Sequence, residues 1–416
     1  MPCSRISVLG LAALWLAVEL AAAPARVHLG CEELAARGFR ELQGKRVGLI
    51  ANQTSVNANG EPTWQVLRRA PGVKLVALFA PEHGLAGDLP AGKEFTNSVH
   101  GPTGLPVYSL YGPGPTRKPT PAMLRGLDVL VYDLQDTGFR AYTYISTLGL
   151  AMEACGAAGV EFVVLDRPNP LGGVRVEGPR LDPAFRSFVG QWNVPLIYGL
   201  TPGELARMIN GEGWITNRCR LTVVPLSGWK RAMTWRDTGL PWVPASPNVR
   251  TPSAALGMPA TGLVGELGGL NIGLGGDYPF RCYAAPWLDG QKLATHLNRL
   301  RLPGVRFNPF SYQPSRGAFR GQTVHGVWLE FSDPTRAPLV ALNFYALEAV
   351  RKLTGRNLLA EAVKSGKTLS MFDKLMGGDR TRKALLAGRP AAEIVASWKA
   401  DEAAFRQRRQ PYLLYP

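Results

Sequence analysis

The chain has 416 residues, 46% of them apolar and 19% charged. That length exceeds one ordinary core and predicts two domains, and the composition excludes disordered and collagen-like classes. Forty-seven Lys and Arg against 31 Asp and Glu give a formal charge of +16, which suits an anionic partner. No nucleic-acid partner is expected: the densest basic run, Arg406 to Arg409 in FRQRRQ, falls in a C-terminal helical pattern and reads as a solvated face, not as basic clusters interleaved with aromatics.

The first segment carries Arg5, the apolar run Val8 to Val18 and then Ala23-Pro24-Ala25. This is the pattern of a secretory signal peptide over residues 1–25, and the run is too short to span a bilayer. No later span follows, so the processed protein is expected to be secreted or periplasmic, with no stable membrane insertion. Cys31, Cys155, Cys219 and Cys282 would survive processing and show neither CxxC nor zinc spacing. The compartment permits one or two disulfides; the sequence requires none.

From residue 45 onward, apolar runs alternate with amphipathic segments. The runs are KRVGLIA (45–51), VKLVALFA (73–80), LDVLVYDL (127–134) and GVEFVVLD (159–166), and the alternation predicts βαβ units in a parallel sheet. YISTLGLAMEACGAA predicts a helix over 144–158. A second helix opens at Thr201-Pro202-Gly203-Glu204, where Thr can cap, Pro fits the first turn and Glu completes a capping box. The proline-rich PWVPASPNVRTPS (241–253) marks a boundary near Arg250. The expected organisation is an α/β, Rossmann-like catalytic domain over 26–250 and a C-terminal domain over 251–416 that covers the strand-end edge and contributes to the cleft.

Each of the four runs ends in polar residues: Asn52-Gln53-Thr54, Pro81-Glu82-His83-Gly84, Asp133 to Gly138, and Asp166-Arg167-Pro168-Asn169. Parallel strands bring these ends to one edge, where open α/β sheets bind ligands. NQTSVN after the first strand has no glycine with which to cradle a pyrophosphate, so no nucleotide site and no cofactor are expected. GxxxxGK[ST], HExxH and GxSxG are all absent from the sequence. What the edge offers is carboxylates, Glu82, Asp133, Asp136 and Asp166, and sugar-cleaving enzymes work with a pair of carboxyl groups. Asn52, Gln53 and Asn169 would contact sugar hydroxyls, with Tyr142, Tyr144, Trp229 and Trp242 as stacking faces. A metal held by His83, Asp133 and Asp136 is the alternative chemistry.

KRVGLIANQTSV, LFAPEHGLAG, DLQDTGFRAYTYISTL, VLDRPNPLGG with VEGP, and GLTPGELARMIN resemble the exo-β-N-acetylmuramidases of the NamZ type, a family once labelled only as a domain of unknown function. The resemblance runs from about Val27 to the C-terminal SWKADEAAFRQRRQPYLLY. It implies a Rossmann-like domain without a nucleotide site and a smaller C-terminal α+β domain. It also implies a secreted glycoside hydrolase that releases terminal N-acetylmuramic acid from the non-reducing end of peptidoglycan fragments, so that the partners are peptidoglycan-derived amino sugars. The family's catalytic glutamate lies in the loop matched by Glu82, with His83, Asp133 and Asp136 as further catalytic candidates. Asn52, Gln53, Arg140, Tyr142, Asp166, Asn169 and Arg250 are expected to bind substrate, Arg140 or Arg250 reading the acidic group, and Arg167 to be structural. Where many relatives carry a GRGT-like segment, this chain reads GLGGDYPF (273–280 following Ile272) without the arginine. An N-acetylglucosaminidase-like hydrolase and a non-catalytic cell-wall sugar-binding protein are the alternative functions.

Overall fold

Strands form where the apolar runs are bounded by turn residues, and each of the four predicted runs contains one. A computed structural model describes residues 26–114 and 117–416; the signal-peptide expectation for 1–25 lies outside the described residues. The first sheet contains β1 (Arg46–Ile50), β2 (Lys74–Ala80), β3 (Ser98–Val99), β4 (Pro106–Ser109), β5 (Val129–Tyr132), β6 (Glu161–Leu165) and β7 (Leu221–Val224). Its order is β3-β4-β2-β1-β5-β6-β7. All neighbours pair in parallel except β3, which runs antiparallel to β4.

Side chains alternate between the two faces, and both faces are buried. Ile50, Phe79, Leu130, Tyr132, Phe162 and Val164 pack with the helices Tyr144–Ala158 and Pro202–Gly211. Leu49, Leu78, Val131, Val163 and Leu165 pack on the other side with residues of Gly30–Ala36 and Thr63–Arg69. The second of the first pair of helices starts as its sequence predicts. Glu204 N–H donates to Thr201 Oγ1 at 3.2 Å, and Thr201 N–H returns a bond to Glu204 Oε2 at 3.1 Å.

After Thr251, whose hydroxyl caps the helix Pro252–Leu267, the chain builds a three-stranded antiparallel sheet. Its strands are β8 (Cys282–Ala285), β9 (Arg306–Tyr312) and β10 (Val324–Glu330), in the order β8-β10-β9. Helices Gly290–Arg299 and Leu339–Thr354 pack against this sheet and against Pro252–Leu267 around a separate apolar core. This is the smaller α+β part.

The chain end then returns to the first sheet. Phe405, on the helix Lys399–Arg408, and Tyr415 insert into the two cores of the parallel-sheet domain. Here the basic run departs from its reading as a solvated face. Arg409 is 4% exposed and donates to Tyr198 O and Gly199 O at 2.9 and 2.7 Å, and burial lowers its guanidinium to about 10. Arg408 pairs with Glu212 at 2.6 Å. Helical periodicity identified the helix but not the body against which its basic side was laid. The four described cysteines are free and buried. Among the described residues no helix is long and apolar enough to cross a membrane.

Candidate active site

From β1 the chain moves outward to β2 and β4, then returns to β5 beside β1 and proceeds to β6 and β7. The topological switch point is therefore between β1 and β5, and the crevice outside their carboxyl ends is where such sheets bind ligands. The segments after β1, β2 and β5 meet there, together with a turn at Ala245.

Glu82 lies two residues beyond β2 and is 7% exposed. Its Oε1 accepts the Gly92 N–H at 2.8 Å and its Oε2 accepts the Thr143 hydroxyl at 2.7 Å, so both oxygens are aimed. Tyr111 stands close by: burial, and next the Glu82 charge, raise its phenol. The Arg117 guanidinium covers the Tyr111 ring at 4.1 Å and bonds Glu94 Oε1 at 2.8 Å.

His83 has φ 74°, and Gly84 follows with φ 78°. A left-handed histidine costs on the order of 1–3 kcal/mol and persists only where its surroundings hold it. Here the Nδ1–Leu89 O distance is 2.7 Å, and Leu89 N–H donates back to His83 O at 3.2 Å. A carbonyl can only accept, so Nδ1 carries the proton and the ring clamps the loop. Gly87 (φ 72°) is the other fixed point, because a Cβ there would come within 1.9 Å of the Gln53 side chain. Gln53 in turn donates to Pro244 O at 2.8 Å and Ala245 O at 3.2 Å.

Asn52 Nδ2 donates to the Tyr144 hydroxyl at 2.7 Å, and the Tyr142 hydroxyl donates to Ala245 O at 2.6 Å. The two tyrosine rings are 4.6 Å apart. Asn52, Gln53, Glu82, His83 and Tyr142 are thus brought together as predicted, and Thr143, Tyr111, Arg117 and the Ala245 turn join them. Arg250 is exposed and directly follows the Ala245–Val249 turn.

Other candidates serve the scaffold instead. Asp133 is fully enclosed, accepting from Arg167 Nε and from the Thr63 hydroxyl, each at 2.6 Å. Its complete burial and its ion pair with Arg167 take it out of reach of a substrate, which corrects its reading as a catalytic acid and accords with a structural Arg167. Asp166, also enclosed, accepts from Thr201, Gly203 N–H, Arg167 N–H and Tyr415. It fastens the chain end and a helix start, not a sugar, and burial raises its carboxyl to about 7. Asn169 forms a turn with Leu171 N–H and holds Leu200 O, both at 2.9 Å.

Arg140 is 0% exposed and donates to Pro179 O, Val194 O and Leu375 O at 3.0, 2.7 and 2.8 Å. It ties the two halves of the chain together and cannot read a substrate. Asp136 is 3% exposed; its Oδ2 accepts from Tyr198 and, at 2.7 Å, from Gly138 N–H, while Oδ1 has no partner. Burial raises this carboxyl to about 6, and its bonds go to Tyr198 and Gly138, not to the residues around Glu82. Among the described residues no group of three His, Cys, Asp or Glu side chains has metal-holding geometry, so the trio His83, Asp133 and Asp136 does not form.

A buried glutamate aimed by two hydrogen bonds and set among tyrosines, at the switch point of a parallel sheet in a chain that also carries a smaller α+β part, is the architecture of a two-domain α/β enzyme. The chemistry is that of a glycoside hydrolase. The N-terminal family model of exo-β-N-acetylmuramidase NamZ matches residues 47–253 and the C-terminal model matches 256–415, and the chain belongs to that family. It is 40% identical over 390 residues to the peptidoglycan β-N-acetylmuramidase NamZ of Bacillus subtilis (strain 168), covering 94% of this chain and 92% of that protein. Two crystal structures of DUF1343 family proteins from Bacteroides fragilis NCTC 9343 superpose with TM-scores of 0.88 and 0.75. Their identities are 43% and 30%, and each match covers 94% of this chain and 99% of the other.

Proposed function

We propose that this protein removes a terminal N-acetylmuramic acid from the non-reducing end of peptidoglycan fragments, with Glu82 as the general acid of the cleavage step. The observation that carries this is the aiming of the buried Glu82 carboxyl by Gly92 N–H and Thr143 Oγ1. A positioned carboxyl group beside the glycosidic oxygen supplies the proton that the leaving sugar requires. The name of the B. subtilis relative supports the sugar. Its lactyl carboxylate would be met by Arg117 and Arg250, a role for which guanidinium geometry is suited. His83 fixes the loop. The N-terminal 25 residues and the peptidoglycan substrate together favour action outside the inner membrane, after secretion or in the periplasm.

The test compares release of a chromogenic aglycone from an N-acetylmuramide and from an N-acetylglucosaminide. Preferential release from the muramide is expected. Preferential release from the glucosaminide would move the specificity to the neutral sugar, and binding of muropeptide sugars without release of either aglycone would make the protein a sugar-binding module. Secretion is tested by locating the protein and sequencing its mature amino terminus.

A further inference from the structure

Away from Glu82, a cavity of about 580 Å³ opens where the segment after β6 meets residues 335–341 and 395–406 of the C-terminal half. None of its residues belongs to the Glu82 cluster. Its lining includes five cations, Arg175, Arg231, Arg336, Lys399 and Arg406, but only two carboxylates, Glu177 and Glu402.

The carboxylates are already satisfied. Glu177 accepts from Arg175 and, at 2.9 Å, from Val340 N–H; Glu402 accepts from Gly178 N–H at 3.1 Å and from Lys399 at 3.0 Å. On the floor, the Arg175 side chain is only 8% exposed; its Nη groups donate to Glu177, Ala337 O and Pro334 O, and its Nε has no partner. Arg231 is paired with Glu204 at 2.6 Å. At the mouth, Arg336, Lys399 and Arg406 are exposed. Val176 and Trp398, both buried, supply an apolar wall. Arg231 also donates to Gly173 O and Gly199 O, and Arg406 to Val176 O, so the cavity offers an excess of positive charge, the exposed Arg336 guanidinium at its mouth and an apolar side, which are what a small organic anion needs. The volume falls within the range of about 300–1,000 Å³ that ligand pockets occupy.

We propose that this cavity is a second ligand site, separate from Glu82, for a sugar-sized organic anion that carries a carboxylate or a phosphate ester. The assignment does not depend on the hydrolytic reading, because binding is measured without turnover.

The experiment is isothermal titration of the full chain at low salt with three probes: N-acetylmuramic acid, N-acetylglucosamine 6-phosphate and neutral N-acetylglucosamine. At least one anion should bind with Kd below about 1 mM, and the neutral sugar should bind at least about tenfold more weakly. Because N-acetylmuramic acid is also the sugar proposed for the Glu82 site, only binding that the Gln pair below weakens counts: of the first anion alone it identifies a carboxylate ligand, and of the second alone a phosphate ester. The double variant Arg336→Gln/Lys399→Gln should weaken anion binding at least about tenfold and leave kcat and KM on a chromogenic glycoside unchanged. Arg336→Lys/Lys399→Arg, which keeps both charges, should bind within about threefold of the parent. The proposal is overturned if neither anion binds, if the neutral sugar binds equally well, or if the Gln pair binds as the parent does, which would place the anion elsewhere.

Discussion

Arg140→Met separates a scaffold role from a substrate role. The substitution keeps an unbranched apolar stem and removes a guanidinium that serves three enclosed carbonyls, Pro179 O, Val194 O and Leu375 O. A buried polar group left without its partner costs about 1–3 kcal/mol. Three such losses are partly offset, because the variant no longer buries a charge that burial itself disfavours. A net destabilisation of about 3–5 kcal/mol follows. Unfolding entropy of about 2.1 cal/mol/K per residue gives roughly 0.9 kcal/mol/K for a chain of this length, so Tm should fall by about 3–6 °C. The fall should be larger if the C-terminal half melts separately. Scanning calorimetry provides the Tm, and KM on a muramide provides the comparison. An unchanged Tm with a KM raised about tenfold would refute the scaffold account and restore Arg140 to the substrate.

Further predictions rest on other residues around Glu82 and their supports. Gly87→Ala forces a Cβ against Gln53 at a left-handed φ; it should lower kcat/KM by at least about tenfold with a stability loss of about 1–3 kcal/mol, and a variant with parental activity would show that the Gln53 contact does not position the loop. Arg117→Ala should raise KM for a muramide about tenfold and leave a glucosaminide little changed; equal effects on both would remove Arg117 as the reader of the acidic group. Asp136 has a folded-state carboxyl raised from 3.8 to about 6 by burial. A raised carboxyl contributes stability below its unfolded value that is lost as pH rises through its folded value. In urea titrations, Asp136→Asn should therefore gain relative to the parent by up to about 3 kcal/mol between pH 4 and pH 7; parallel curves would contradict this.

Local rules made much of the fold legible. The helix Tyr144–Ala158 and the Thr201 capping box follow from neighbouring residues, and strands β1, β2, β5 and β6 follow from apolar runs. Strand β4, only four residues long and opened by Pro106, gave no such signal, and with it Tyr111 was missed. In β9 the interior Pro309 obscures the alternation. At the site, convergence of strand ends identified Asn52, Gln53, Glu82 and Tyr142. Thr143 reaches Glu82 across 61 positions, a contact that exists only once the sheet is formed. Arg140, Arg167 and Arg250 look alike in sequence, and burial alone divides them into two structural arginines and one exposed.

The most direct test of the account is the rate of Glu82→Gln on a natural disaccharide. The amide fits the site: its oxygen can accept Gly92 N–H and its nitrogen can donate to Thr143 Oγ1, whose hydrogen rotates away. The variant should therefore fold and bind as the parent does, but it has no acidic proton to give. A fall in kcat of about 10²–10⁴ with substrate affinity within a few-fold is expected, and a smaller fall on a nitrophenyl glycoside, whose leaving oxygen needs little protonation. Near-parental kcat on the disaccharide in folded Glu82→Gln would contradict the assignment of Glu82 as the general acid.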